Sequence, residues 1–136
     1  IEFSGIGFGS ADYCASTGGD MGKASLAYGR GKIINAAALY NTLALDGVWL
    51  DFRDPDGCRE ETLYVKTMGF KGRFAIHPDQ IKPIHDAYRP TTEELKWAKG
   101  VLEEAKTAGS GAFKYQGKMV DAPVLAVARL IISRED

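Results

Sequence analysis

Three short apolar segments, separated by helix-like stretches and bounded by turn signals, constrain this chain more than any other feature. Phe3-Ser4-Gly5-Ile6-Gly7-Phe8-Gly9 alternates apolar with small residues, the pattern of a strand with close backbone neighbours. Residues 45–52 read as a second strand, and residues 72–78 as a third, stopped by Pro78. Between the first two, residues 23–40 place Leu26, Ala27, Ile33, Ile34, Ala37 and Ala38 at helical spacing. Gly29 and Gly31 would each cost that helix about 1 kcal/mol relative to Ala, which predicts that something packs closely there. Residues 60–68 read as a short helix closed by Gly69. Strand, helix, strand, helix, strand with short links indicates an α/β fold with a parallel sheet built from βα units.

The pattern changes after Pro78. Thr91 and Glu94 have the spacing of a capping box, ahead of a helix to about residue 108 with the stripe Leu95, Ala98, Val101, Leu102 and Ala105. Gly109-Ser110-Gly111 ends it, residues 112–116 look extended, Gly117 turns the chain, and a last helix spans residues 122–133. With 45% hydrophobic residues the chain can build a real core, and 17 basic against 18 acidic side chains argue against a nucleic-acid partner. No apolar run approaches the roughly 18 residues of a membrane span. Ile1-Glu2-Phe3-Ser4 lacks the basic region and apolar run of a secretory signal. Two cysteines, Cys14 and Cys58, share no metal-type spacing and fit a reducing compartment. Three parallel strands leave two edges open, and the chain opens without Met; both features suit a piece of a longer domain.

On βα folds, catalytic groups gather where strands end. Asp12 follows the first strand, where a carboxylate either caps the next helical turn or ligates a hard cation such as Mg²⁺. Ser10 and Ala11 could offer backbone N–H groups to an anion there. His77, ending the third strand, fits substrate binding or acid–base work, and equally a satisfied strand-end histidine. His85 carries no assigned role. Turn chemistry accounts for Asp54 and Asp56, Asp51 reads as a cap or a site residue, and Cys14 as a small core residue. Asp121 precedes a helix with Pro123 in its first turn, so capping alone explains it.

Three ordered motifs add to this reading. Phe8-Gly9-Ser10-Ala11-Asp12, the stretch from Gly69-Phe70-Lys71-Gly72-Arg73 to Ile76-His77-Pro78-Asp79-Gln80, and Gly109-Ser110-Gly111-Ala112 leading to Gly117-Lys118-Met119-Val120-Asp121 resemble the C-terminal half of the citrate lyase beta-subunit-like family, which includes malyl-CoA and citramalyl-CoA lyases. Arg30 and the stretch from Asp46 to Phe52 look like that family too. The resemblance implies the C-terminal part of a TIM (β/α)8 barrel: residues 1–89 as its last three βα units, residues 90–136 as a helical extension acting as a lid on a neighbouring subunit. A complete barrel needs about 250 residues. It further implies a Mg²⁺-dependent lyase that cleaves a short 3-hydroxyacyl-CoA to acetyl-CoA and an oxo acid. Asp12 would be a metal ligand and Asp121 the catalytic group supplied to a neighbour; Ala11, Ile76 and His77 would bind substrate. The expected setting is a homotrimer in the cytoplasm, or in the mitochondrial matrix of a eukaryote. The rival expectations are a malyl-CoA thioesterase and a non-catalytic acyl-carrier docking or oligomerisation module.

Overall fold

A computed structural model describes residues 3–109 and 111–135. Ser110, in the third motif, and the opening Ile1-Glu2 lie outside the described residues. The chain divides into two compact units, one up to Tyr88 and one from Arg89.

The first unit is built from βα units. Strand β1 (Gly5–Gly7) leads into helix α1 (Ser10–Thr17), and helix α2 (Lys23–Leu39) follows. Strand β2 (Leu43–Asp46) leads into helix α3 (Pro55–Met68); strand β3 (Gly72–Arg73) is followed by a 3₁₀ turn over Pro78–Gln80 and helix α4 (Ile81–Tyr88). The sheet order is β1-β2-β3 and both pairings are parallel, with Ile6 opposite Ala44 and Asp46 opposite Arg73. Side chains alternate across a strand, so Ala44 and Asp46 share one face of β2 and both are buried, while Leu43 on the other face is 52% exposed. Phe8, Cys14, Leu26, Ala37, Ala44, Val65 and Phe70 form the core.

All three expected strands are shorter than read, the first covering only Gly5–Gly7. The second begins at Leu43 and stops at Asp46, and the third covers only Gly72–Arg73. The sheet's last backbone bonds there are Phe8 N to Leu45 O and Phe74 N to Asp46 O, at 2.9 and 3.1 Å. Beyond them Gly47 passes against Ser10: a Cβ on Gly47 would lie 2.1 Å from Ser10 Oγ. The chain therefore leaves the sheet as a loop over residues 47–53. Helix α3 starts earlier than read, because Asp54 accepts from Gly57 N at 2.9 Å and Pro55 occupies the first turn, making Asp54 a cap and not merely a turn residue.

In the second unit, helix α5 (Thr92–Ala108) starts with a complete capping box between Thr91 and Glu94. Strands β4 (Phe113–Tyr115) and β5 (Lys118–Val120) form an antiparallel hairpin, and helix α6 (Ala122–Ile132) follows. The hairpin turns through Gln116 and Gly117, both at positive φ (49° and 78°). Ala98, Val101, Val120 and Ala128 form its core, with Trp97, Phe113 and Tyr115 against them. Among the described residues no helix is long and apolar enough to cross a membrane.

Candidate active site

Parallel strands bring their C-terminal ends to one side, and in the first unit these ends carry Asp12, the loop over residues 47–53, and residues 74–77. Helix α1 is not capped by Asp12. Its N-cap is Gly9, and no side chain bonds there. Asp12 lies within the first turn and is exposed, with Oδ2 over Gly9, where an added Cβ would come within 3.1 Å. Among the described residues its carboxylate has no hydrogen-bond or ion-pair partner. Ser10 N donates to Phe8 O at 3.0 Å and Tyr13 N to Gly9 O at 2.9 Å. The amides of Ala11 and Asp12 are therefore left as first-turn donors without an intrahelical acceptor. An anionic group approaching them would meet the positive end of the helix dipole.

His77 does not end a strand, since β3 stops four residues earlier. It caps the 3₁₀ turn, its Nδ1 accepting from Asp79 N at 3.2 Å. That bond assigns the proton of the neutral ring to Nε2. The ring stacks on Phe52 with centroids 4.7 Å apart and planes at 23°. Ile76 is 54% exposed beside it. Asp51 is an Asx turn whose Oδ1 accepts from Arg53 N at 3.0 Å. Cys14 is buried, its thiol donating to Asp20 O.

Sequence reading missed two constructions. The first is a buried ionic quartet. Asp46 accepts from Arg30 through Nε and Nη2 (3.1 and 3.0 Å) and from Arg73 Nη2 (2.6 Å), and Arg30 Nη2 also meets Glu61 at 2.8 Å. Arg73 Nε then donates to Gly47 O at 2.9 Å and its Nη1 to Thr62 Oγ1 at 3.2 Å. Burial works to lower the Arg30 pKa, but the hydrogen bonds and charges of Asp46 and Glu61 together outweigh it and raise it. Burial pushes the Cys58 thiol up, against the opposing charge of Arg73. The available signal was Asp46 on the same strand face as Ala44.

The second is Gln80, 1% exposed. Its Nε2 donates to Trp49 O at 2.7 Å and its Oε1 accepts from Ile76 N at 2.9 Å. One amide thus fastens the loop after β2 to the segment carrying Ile76 and His77.

Ala11, Asp12, Ile76 and His77 all belong to the strand-end side of the first unit. Asp121 belongs to the second unit, where it is the N-cap of α6, Oδ1 accepting from Val124 N at 3.3 Å. Among the described residues no group of three or more His, Cys, Asp or Glu is arranged to hold a metal ion.

Comparison with known proteins gives these parts a context. A family model described as a C-C bond lyase of the TIM-barrel fold matches residues 31–135. The mitochondrial citramalyl-CoA lyase of Rattus norvegicus is 37% identical over 131 residues, which cover 93% of this chain and 39% of that protein. A citrate lyase subunit beta-like protein of Mycobacterium tuberculosis is 39% identical over 137 residues, covering 96% of this chain and 50% of its own length. The crystal structure of protein CitE from M. tuberculosis in complex with magnesium, acetoacetate and coenzyme A superposes with a TM-score of 0.79 at 36% identity, over 97% of this chain and 52% of that one. The chain thus spans between two-fifths and one half of the length of these relatives.

Proposed function

The chain belongs to the C-C bond lyase family of the TIM-barrel fold, and we propose that, as part of a complete barrel, it cleaves a short 3-hydroxyacyl-CoA to acetyl-CoA and an oxo acid with the help of Mg²⁺. A citramalyl-, malyl- or citryl-thioester is the substrate class. The observation that carries this reading is Asp12: an exposed, unpartnered carboxylate at the C-terminal end of a parallel strand, beside two free helix amides and on the same side as Ile76 and His77.

Asp12 fits Mg²⁺ as one ligand and not as a whole site. It offers a hard oxygen free of competing partners, and Mg²⁺ typically takes one or two carboxylates and fills its remaining positions with water and substrate. When bound, the ion supplies Lewis-acid stabilisation of developing charge on a substrate oxygen. The amides of Ala11 and Asp12 receive the substrate's acid end and fix its orientation. Ile76 and the stacked His77 line the thioester end, where Nε2–H of His77 is a donor.

In the cleavage direction the C3 hydroxyl gives up its proton to a water molecule and C3 becomes the oxo-acid carbonyl. The C2–C3 bond breaks, and its electron pair passes to C2 and the thioester as an enolate. Asp121 delivers a proton to C2, giving acetyl-CoA; in the reverse direction its carboxylate removes a proton from the acetyl methyl group. The residue comes from the extension of a neighbouring subunit, so water is excluded only when the extension closes.

Asp121→Asn separates the acid from the cap, because Asn caps helices as well as Asp does. The expected outcome is unchanged thermal stability with lyase turnover reduced by about 10² or more, the usual contribution of a general acid. Turnover equal to the parent discards the catalytic assignment. Calorimetric titration of Asp12→Ala with Mg²⁺ is expected to show weaker binding; unchanged affinity removes the ligand assignment.

A further inference from the structure

Pairing between β2 and β3 stops at Asp46 and Arg73, with Phe74 N to Asp46 O as its last backbone bond. Among the described residues, no backbone–backbone hydrogen bond joins residues 47–53 to residues 75–77. The side chain of Gln80 takes the place of the missing rung. A primary amide carries the donor and the acceptor that a peptide group carries. Its Nε2 donates to Trp49 O on one side, and its Oε1 accepts from Ile76 N on the other. The local turn fixes where that amide stands: Pro78 opens the 3₁₀ turn, and Gln80 N donates to His77 O at 3.1 Å. At 1% exposure Gln80 is shut off from water, so an apolar side chain in its place would leave Trp49 O and Ile76 N without this partner. The two segments meet a second time at the surface, where Phe52, 41% exposed, stacks on the ring of His77. Ile76 and His77 are thus held by a buried polar bridge and an exposed aromatic contact, both reaching the loop after β2.

We infer that Gln80 is a positioning residue for the thioester end of the substrate: by tying the segment of Ile76 and His77 to Trp49, it holds these two side chains where that end binds. The assignment rests on the proposed lyase function and deepens it. Being buried, Gln80 acts through its neighbours. Its bonds run to Trp49, Ile76 and His77, and none of them to α1, whose first-turn amides receive the acid end. The two ends of the substrate therefore respond separately to a change at Gln80.

The condensation direction separates the two ends, since acetyl-CoA brings the thioester and the oxo acid brings the carboxylate. Initial rates of the complete protein are measured with acetyl-CoA and each of pyruvate, glyoxylate and oxaloacetate, for the parent and for Gln80→Met, which keeps the length and removes both bonds. The KM for acetyl-CoA should rise about tenfold or more, as small displacements of binding groups do, while the KM for the accepted oxo acid stays within about twofold. A general loosening of the fold would not single out one substrate. Gln80→Asn carries the same amide on a stem one carbon shorter, which cannot span both partners. It gives a second measurement if Gln80→Met does not fold, and the same selective rise is expected. An unchanged KM for acetyl-CoA, or parallel rises for both substrates, overturns the assignment while the lyase function stands. A parent protein that condenses none of the three pairs overturns the lyase function, and this assignment with it.

Discussion

Asp46 shows how much one side chain can hold. It accepts from two arginines at the end of a central strand, and one of those arginines carries the backbone carbonyl of Gly47, where the loop towards the site begins. Replacing it with Ala would leave two guanidinium groups facing each other in a buried space. Removing one partner of a buried ionic group typically costs about 3–5 kcal/mol, and urea denaturation of Asp46→Ala should show a loss of that order. A loss below about 1 kcal/mol would mean that water already reaches the quartet. In the sequence, Asp46 reads as one polar residue in an apolar run, because its partners lie 16 and 27 positions away. Asp121 was legible as a cap because capping is local: the carboxylate, Pro123 and the accepted amide fall within three residues. Asp12 sits equally close to a helix start and does not cap it, since the chain enters α1 one turn too early for its side chain to reach back as an N-cap. Spacing alone left that choice open.

At the level of elements, the helices were the more legible parts. Periodicity fixed α2 and α5 to within about one residue, because a helix closes its hydrogen bonds on itself. The strands were overextended at their C-terminal ends, because a strand ends where its neighbour leaves it, and no single segment states that. The paired glycines of α2 give a direct test of close packing. A Cβ on Gly29 would lie 2.8 Å from Phe8 Cζ and 3.1 Å from Tyr13 Cε2, whereas around Gly31 nothing lies within 4 Å. Gly29 therefore meets the expectation of a close neighbour, and Gly31 does not. The same substitution should act with opposite signs at the two positions. Gly31→Ala should stabilise the first unit by about 0.5–1 kcal/mol through helix propensity. Gly29→Ala gains the same propensity but forces two aromatic rings aside, an overpacking penalty of roughly 1–3 kcal/mol, so its net effect is a loss. Chemical denaturation of both variants, followed by helical circular dichroism, measures the pair. Equal signs would show that the aromatic rings give way freely.

For the whole molecule, the more exposed face of the three-stranded sheet, with Leu43 uncovered, and the match to a TIM-barrel family over most of the chain agree: this is part of a closed barrel, joined to a helical extension. Barrel membership was legible from the ordered motifs; the polar supports around the site were not, because each depends on residues from several elements. The proposed chemistry places Asp12 and Asp121 on different units of one chain, and supplies Asp121 to a neighbouring copy. That arrangement has a consequence that a site built within one subunit lacks. Asp12→Ala and Asp121→Asn proteins should each lose most of their activity, yet after mixing, unfolding and reassembly some sites should combine the intact Asp12 of one copy with the intact Asp121 of another. In a cyclic oligomer assembled at random from equal amounts, each required residue is present with a probability of about one half, so roughly one quarter of the parental activity should return. Size-exclusion chromatography of the mixture checks that oligomers have re-formed. If both residues act from the same subunit, every site in the mixture still lacks one of them, and reassembled oligomers stay inactive at any mixing ratio.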